Sequence, residues 1–408
     1  MREIHQSMQT TNRDKSFCCA SALSTDTDPA QAVQAVCSAA LDQLGDTPDL
    51  AVLFLSADYG PRCQAIAGEV CDCLGTDRLI GCTAESIVGM ACEVEGRSGL
   101  SLWLARMPDT DVLPMHLTFD RTSDGHAILG WPDSLGQHWP ASASLIVLGE
   151  PFSFPADVLL EHMNEDRPGV NIIGGMASAG AAPGENRLVI GRRTPDNGAV
   201  AVLLSGSVNV RPIVSQGCRP IGEHFVITKA ERNVVYELGG KPAAVQLHNV
   251  LMALPTHEQE MVRNGLHLGR VVSEYRDRFE HGDFLIRNVM GIERESGALV
   301  IGDYVRVGQT VKFHIRDAQT ADADLQQMLA GARDDSTGEA YGALLFTCNG
   351  RGTRLFPEPH HDATAIRDAL GEIPLAGFFA AGELGPVSGQ NFMHGFTASI
   401  ALFEQSQT

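Results

Sequence analysis

No apolar run in this chain approaches the ~20 residues that a membrane span requires. The longest are short, strand-like stretches such as Gly198 to Leu204. The first residues, Met1 to Asp28, are polar and contain no apolar core of a signal peptide. Cys18-Cys19 follows no apolar segment, which argues against a lipid anchor. A cytoplasmic location is the expectation. Positive charge is scarce too: 30 Lys and Arg stand against 50 Asp and Glu, a formal net charge of -20. Nucleic acid and anionic membranes are bound through a basic footprint, so neither is expected as a partner.

Cysteine is present without forming a scaffold. Ten in 408 residues is too sparse for a disulfide framework. Cys37, Cys71, Cys82 and Cys218 lie in apolar contexts where a thiol acts as a small hydrophobe. Cys71-Asp72-Cys73 does not read as a metal site, because residues two apart on a helix diverge and no second ligand pair follows at zinc spacing. The nucleophile elbow, the phosphate-binding loop, the dinucleotide fingerprint and the metalloprotease motif are all missing.

What is present is one pattern written three times: an apolar strand, a helix, then a second apolar strand that ends in small residues. The first copy runs from Ala51-Val52-Leu53-Phe54-Leu55 to Leu79-Ile80-Gly81-Cys82-Thr83-Ala84-Glu85. The second runs from Leu145-Ile146-Val147-Leu148 to Ile172-Ile173-Gly174-Gly175-Met176-Ala177-Ser178. The third runs from Ala343-Leu344-Leu345-Phe346-Thr347-Cys348 to Leu375-Ala376-Gly377-Phe378-Phe379-Ala380-Ala381-Gly382-Glu383. Gly81, Gly174 and Gly377 fall at the same place in each copy. Glycine at a strand end leaves room for backbone to approach a ligand.

The rest of the chain follows from periodicity and turn signals. Residues 1–25 are expected to be disordered. Asp28 caps a helix reaching Leu44, and Pro61 to Gly75 is an amphipathic helix. Ser123 to Ser142 reads as a surface excursion. Arg187 to Gly191, Ala199 to Ser205 and Val208 to Val214 read as an antiparallel meander. Phe225 to Lys229 and Asn233 to Glu237 form a hairpin, a helix starts at Pro242, and Phe392 to Phe403 is one final strand. The expected fold is mixed α/β: two related lobes with mixed sheets, residues 26–225 and 226–408.

Candidate chemistry concentrates late in the chain. Cys348, Asn349 and Arg351 sit where the third copy's first strand turns. Gly382 and Glu383 follow its second strand, with Asn391 and His394 soon after. Arg287 interrupts an apolar strand, where a guanidinium must snorkel or meet an anion. A ligand carboxylate would satisfy it. Structural readings stand beside these. Arg351 and Glu383 can pair with each other, Cys348 can be a packed thiol, His394 a satisfied core imidazole, and Arg287 half of an ion pair.

The segments Val235-Tyr236-Glu237-Leu238-Gly239-Gly240-Lys241-Pro242-Ala243, Leu285-Ile286-Arg287, Leu345-Phe346-Thr347-Cys348-Asn349-Gly350-Arg351-Gly352, Gly377 to Pro386 and His394-Gly395-Phe396-Thr397 resemble the FIST family (F-box and intracellular signal transduction proteins). Gly81-Cys82-Thr83-Ala84-Glu85 and Gly174-Gly175 resemble its N-terminal domain. The resemblance implies a sensory module for a small ligand, an amino acid or another small carboxylate, with no settled catalytic residues. Arg287 and Arg351 would hold the carboxylate. Asn349, Glu383 and the Gly382 backbone would orient an amino group, with Cys348, Asn391, His394 and the first-copy residues Gly81, Cys82 and Thr83 completing the candidate set. No output domain is visible, so the signalling partner would be another protein. No cofactor is expected, although some family members bind haem as nitric-oxide sensors, which leaves a haem reading with a ligand such as His394 open. Two further readings stay open: an enzyme using Cys348 or His394, and a pure interaction scaffold.

Overall fold

The computed structural model describes residues 16–122, 125–136, 139–140, 142–262, 265–275, 279, 283–334 and 339–405. The chain is a mixed α+β protein. Its described strands form four sheets.

The three strand–helix–strand units form as their sequences imply. Leu50–Ser56 and Leu79–Ala84 pair in parallel, with the helix Cys63–Leu74 between them in sequence. Ser144–Gly149 and Asn171–Met176 do the same around Ala156–Asp166, as do Ala340–Cys348 and Leu375–Ala380 around His361–Leu370. All six strands are almost wholly buried, which explains why they are continuous apolar runs and not alternating ones. Each first strand also pairs antiparallel with a later strand: Leu100–Arg106, Ala199–Gly206 and Ala398–Gln405 respectively.

The units then trade their edges. The strands that follow the first unit, Ile87–Gly89 and Cys92–Val94, extend the third unit's sheet. Those that follow the third unit, Glu383–Val387 and Gln390–His394, extend the second unit's sheet. Leu188–Ile190, which follows the second unit, extends the first unit's sheet. The exchange is cyclic, and the three inner faces share one core. Within it Phe54 lies 5.1 Å from Phe378 and 6.4 Å from Phe346, ring centre to ring centre, and Phe346 lies 5.7 Å from Phe378.

Three expectations are corrected, and a fourth, the surface excursion, gains a strand. The proposed meander does not exist: Leu188–Ile190, Ala199–Gly206 and Val208–Ser215 enter three different sheets, because their apolar faces find partners far away in sequence. The single strand over Phe392 to Phe403 is two strands, Gln390–His394 and Ala398–Gln405, in different sheets. Of the segment expected to be disordered, Cys18–Ser24 is a strand paired with Leu100–Arg106. Its small side chains bury little area each, so its sequence reads as weakly structured, yet Ala20, Ser21 and Ala22 are covered. Residues 1–15 lie outside the described residues. In the excursion after Thr122, Gly125–Leu129 folds back onto the end of Thr110–Thr122; residues 123–124, 137–138 and 141 lie outside the described residues.

Asp28 caps the first helix, Pro29–Leu44, its carboxylate accepting from the Ala30 and Gln31 amides at 2.8 and 3.3 Å. The fourth sheet is antiparallel and holds the expected hairpin, Arg219–Glu231 with Val234–Leu238. It also contains Leu266–Val271, Phe284–Ile292 and Thr310–Ile315, with the helix Ala243–Ala253 packed on its core. No described helix is long and apolar enough to cross a membrane.

Candidate functional site

Where the fourth sheet meets the third unit there is a cleft of about 750 Å³. His267 on Leu266–Val271 and Asn288 on Phe284–Ile292 line one side. Arg316, just past Thr310–Ile315, lies at the back. Gly350 and Arg354, in the turn after Ala340–Cys348, form the opposite wall with Phe396. Phe396 sits in the turn that separates Gln390–His394 from Ala398–Gln405.

Arg316 is the unusual member. It is only 9% exposed, and its Nε and Nη2 have no hydrogen-bond partner among the described residues. Those two nitrogens form the edge of the guanidinium that grips a carboxylate through two parallel bonds. Arg351 shows the same edge in use. Its Nε and Nη2 donate to Asp362 Oδ2 and Oδ1, each at 2.7 Å. The Arg316 guanidinium lies over the face of the Phe396 ring, 4.3 Å from its centre. Burial lowers its pKa, and the charge of Arg351 lowers it further.

Behind Phe396 lies a buried polar cluster that is not part of the cleft wall. Glu383 is fully buried, and its Oε2 accepts from the Thr397 amide at 3.0 Å. The Cys348 thiol lies beside it. Glu383 Oε1, Arg351 Nη1 and Asn349 Oδ1 make no hydrogen bond among the described residues. Buried polar atoms are normally paired, with protein or with ordered water, so these three need a partner that the described residues do not supply. Burial raises the Glu383 carboxyl to about 8, and burial together with the neighbouring Glu383 raises the Cys348 thiol to about 12. At neutral pH Cys348 is a thiol, not the thiolate that nucleophilic chemistry needs.

The remaining expected site residues disperse. Arg351 is 0% exposed, and its Nε and Nη2 belong to Asp362, not to Glu383. Arg287 does meet an anion, Asp303, at 2.8 Å, and donates to the Met393 carbonyl at 3.1 Å. It lines a separate cavity of about 190 Å³ that also touches Asp157 and His394. His394 is buried, donates from Nε2 to the Gly385 carbonyl at 2.9 Å, and is pushed by burial down to about 4. The Asn391 side chain clasps the second unit. Its Oδ1 accepts from the Ile172 amide at 2.8 Å, and its Nδ2 donates to the Val170 carbonyl at 2.9 Å. The Gly382 carbonyl accepts from the Met176 amide at 2.8 Å. Gly81, Cys82 and Thr83 lie within a buried strand away from the cleft, and Thr83 Oγ1 accepts from the Arg187 amide at 2.9 Å.

Sequence reasoning missed Arg316 and Phe396 as site residues. The signal that singled out Arg287, a cation against an apolar strand, applies equally to Arg316 after Val311-Lys312-Phe313-His314-Ile315.

The buried carboxyls carry a pH signature. Glu93 is raised to about 8 by burial and by nearby Asp362, and Glu383 is raised to about 8 as well. An unfolded carboxyl titrates near ~4.3, so the folded state binds more protons and its stability falls as pH rises toward 8. Below about 6.5, His267 and His394, both lowered to about 4 by burial, act in the opposite direction. The melting temperature is therefore expected to fall from pH 6.5 to 8, and Glu383→Gln to flatten part of that slope. A melting temperature that holds or rises across this window would mean that both carboxyls are ionised in the fold.

A model of the FIST N domain matches residues 49–241, and a model of the FIST C domain matches residues 243–386. An uncharacterized protein of Mycobacterium tuberculosis strain H37Rv is 43% identical over 372 residues, 91% of this chain and 95% of its own. An uncharacterized protein of Mycobacterium bovis is 40% identical over 380 residues, 93% of this chain and 97% of its own.

Proposed function

Because the chain belongs to the FIST family, whose domains are sensory modules of signal transduction, we propose that it is a sensory protein binding a small carboxylate, such as an amino acid, in the cleft backed by Arg316. The carrying observation is the carboxylate-gripping edge of Arg316, buried and unpartnered at the back of that cleft. His267, neutral because burial lowers it to about 4, and Asn288 supply uncharged polar groups on the adjacent wall.

The reading is non-catalytic. The thiol state of Cys348 and the engaged Nε2 of His394 both favour it over an enzyme, and the latter also weighs against a His394-ligated haem. The loop that walls the cleft also contacts the end of the first unit, where Arg354 pairs with Glu85, and the strands that follow that unit, where Thr353 Oγ1 donates to Glu95 at 2.8 Å. A ligand that moves this loop would thereby alter the first unit, and so a surface read by another cytoplasmic protein. The three units, alike in register, we read as an internal repeat.

The test is a thermal-shift screen against amino acids and other small carboxylates, followed by calorimetry of any hit. Arg316→Gln is expected to weaken binding by about 30-fold or more, the usual effect of deleting one member of a desolvated charge pair. Unchanged affinity in Arg316→Gln would sink the assignment. Loss in Arg287→Ala instead would move the ligand to the 190 Å³ cavity.

A further inference from the structure

Phe396 holds a conformation that phenylalanine avoids. Its φ is +65°, in the left-handed region that favours glycine and asparagine. Strain of this kind persists where the surroundings enforce it, and it clusters at ligand clamps and switches. Here the surroundings are specific. The ring lies on the guanidinium of Arg316 at 4.3 Å and edge-on to His267 at 5.7 Å. It also presses on Gly350, where an added Cβ would come within 2.8 Å of it. Its backbone amide interacts with the Cys348 thiol. The residue lines the cleft together with Arg316, whose buried, unpaired Nε and Nη2 belong to the guanidinium that the ring covers.

We propose that Phe396 is a gate, and that the ligand is an amphipathic monocarboxylate whose head passes it to reach Arg316. This rests on the reading of the cleft as the sensory site and adds the ligand's shape and its means of entry. The head is a planar carboxylate because the unpaired edge, Nε with Nη2, matches two coplanar oxygens. The body is apolar because Val262, Leu266, Val289, Met290 and Leu355 line the cleft beside its polar groups; Asp317, also in the lining, accepts from the Thr320 amide and hydroxyl. A cleft of about 750 Å³ also leaves room beyond a head group. Displacing the ring exchanges its stacking on Arg316 for two charge-assisted hydrogen bonds. The displaced turn joins the strand Gln390–His394, on the second unit's sheet, to Ala398–Gln405, on the third's, so entry moves the link between them.

The probes are straight-chain carboxylates from butanoate to dodecanoate, titrated calorimetrically, and phenylglyoxal, whose modification of each arginine is followed by mass spectrometry. In the wild type, affinity should rise about fourfold per added methylene, the transfer free energy of one buried CH₂. Arg316 should be modified slowly, and a bound carboxylate should protect it. Phe396→Gly and Phe396→Asn both suit a positive φ. Each should raise the modification rate of Arg316 at least tenfold and speed carboxylate association. If carboxylates bind the wild type with Arg316-dependence but both Phe396 variants leave those rates unchanged, the gate is wrong and the site stands. If affinity does not grow with chain length, the amphipathic ligand class is wrong. If no carboxylate binds and none protects Arg316, the reading of the cleft fails with it.

Discussion

Arg351→Ala is expected to destabilise the protein by about 3–5 kcal/mol, the cost of leaving a buried charge without its partner. Asp362 makes the case severe. It is 1% exposed and accepts from Arg351 twice at 2.7 Å, from Thr347 Oγ1 at 2.6 Å and from His361 Nδ1 at 2.9 Å. Burial alone would push its carboxyl up. The charge and hydrogen bonds of Arg351 override this and hold it well below the usual carboxylate range. A depressed carboxyl stabilises the fold above its unfolded pKa of ~3.9 and loses that contribution as pH falls below it. Without Arg351 the sign reverses. Asp362 becomes an unpaired acid beside buried Glu93, so the variant gains stability relative to wild type as pH drops. Urea unfolding of both proteins at pH 7.5 and pH 5 measures each part of this. A loss below about 1 kcal/mol would place Arg351 with ordinary surface ion pairs, and its burial would have to be abandoned as the explanation. The double variant Arg351→Met with Asp362→Leu should recover most of the loss, because it removes both charges together.

The same residues show what could be read from sequence and what could not. Leu50–Ser56 and Ala340–Cys348 were legible because a strand buried on both faces has to be a continuous apolar run. The Asp28 cap was legible because capping is a contact between near neighbours in the chain. Partner choice was not. Nothing local in Leu188-Val189-Ile190 says that it pairs with Ile80-Gly81-Cys82 about a hundred residues earlier, so adjacency in sequence stood in for adjacency in space and suggested a meander. The site followed the same division. Cys348, Arg351 and Glu383 do lie near one another, since they close one unit. Their roles could not be read, because Arg351 meets Asp362 and Arg316 meets a ring supplied from the far end of the chain. A guanidinium's function depends on which of its edges is occupied, and no spacing rule encodes that.

Gly377→Ala is expected to prevent folding, or to cost more than about 4 kcal/mol, a loss that few single substitutions reach. Glycine at this place in the unit suggested room for a ligand. The structure gives another reason. Gly377 lies opposite Leu345 in the parallel pair, and a Cβ there would come within 2.0 Å of the Leu345 carbonyl oxygen. Gly81 stands in the same relation to Leu53 at 2.1 Å, and Gly174 to Val147 at 1.8 Å. These are contacts of a Cβ with backbone, so no side-chain rotation relieves them. The strands must separate or the pairing must break. Each pair is fully buried and feeds the shared core at Phe54, Phe346 and Phe378, so separation there opens the centre of the molecule. Gly68 is the control. It lies inside the helix Cys63–Leu74 with nothing within 4 Å of an added Cβ, so Gly68→Ala should stabilise the protein by about 0.5–1 kcal/mol. Soluble yield and thermal melting of the four alanine variants decide the matter. If Gly81→Ala, Gly174→Ala and Gly377→Ala melt within a few degrees of wild type, close strand approach is not what these glycines serve, and ligand access becomes the better account. If all three fail while Gly68→Ala gains, the glycine common to the three units marks how closely their parallel strands must pack.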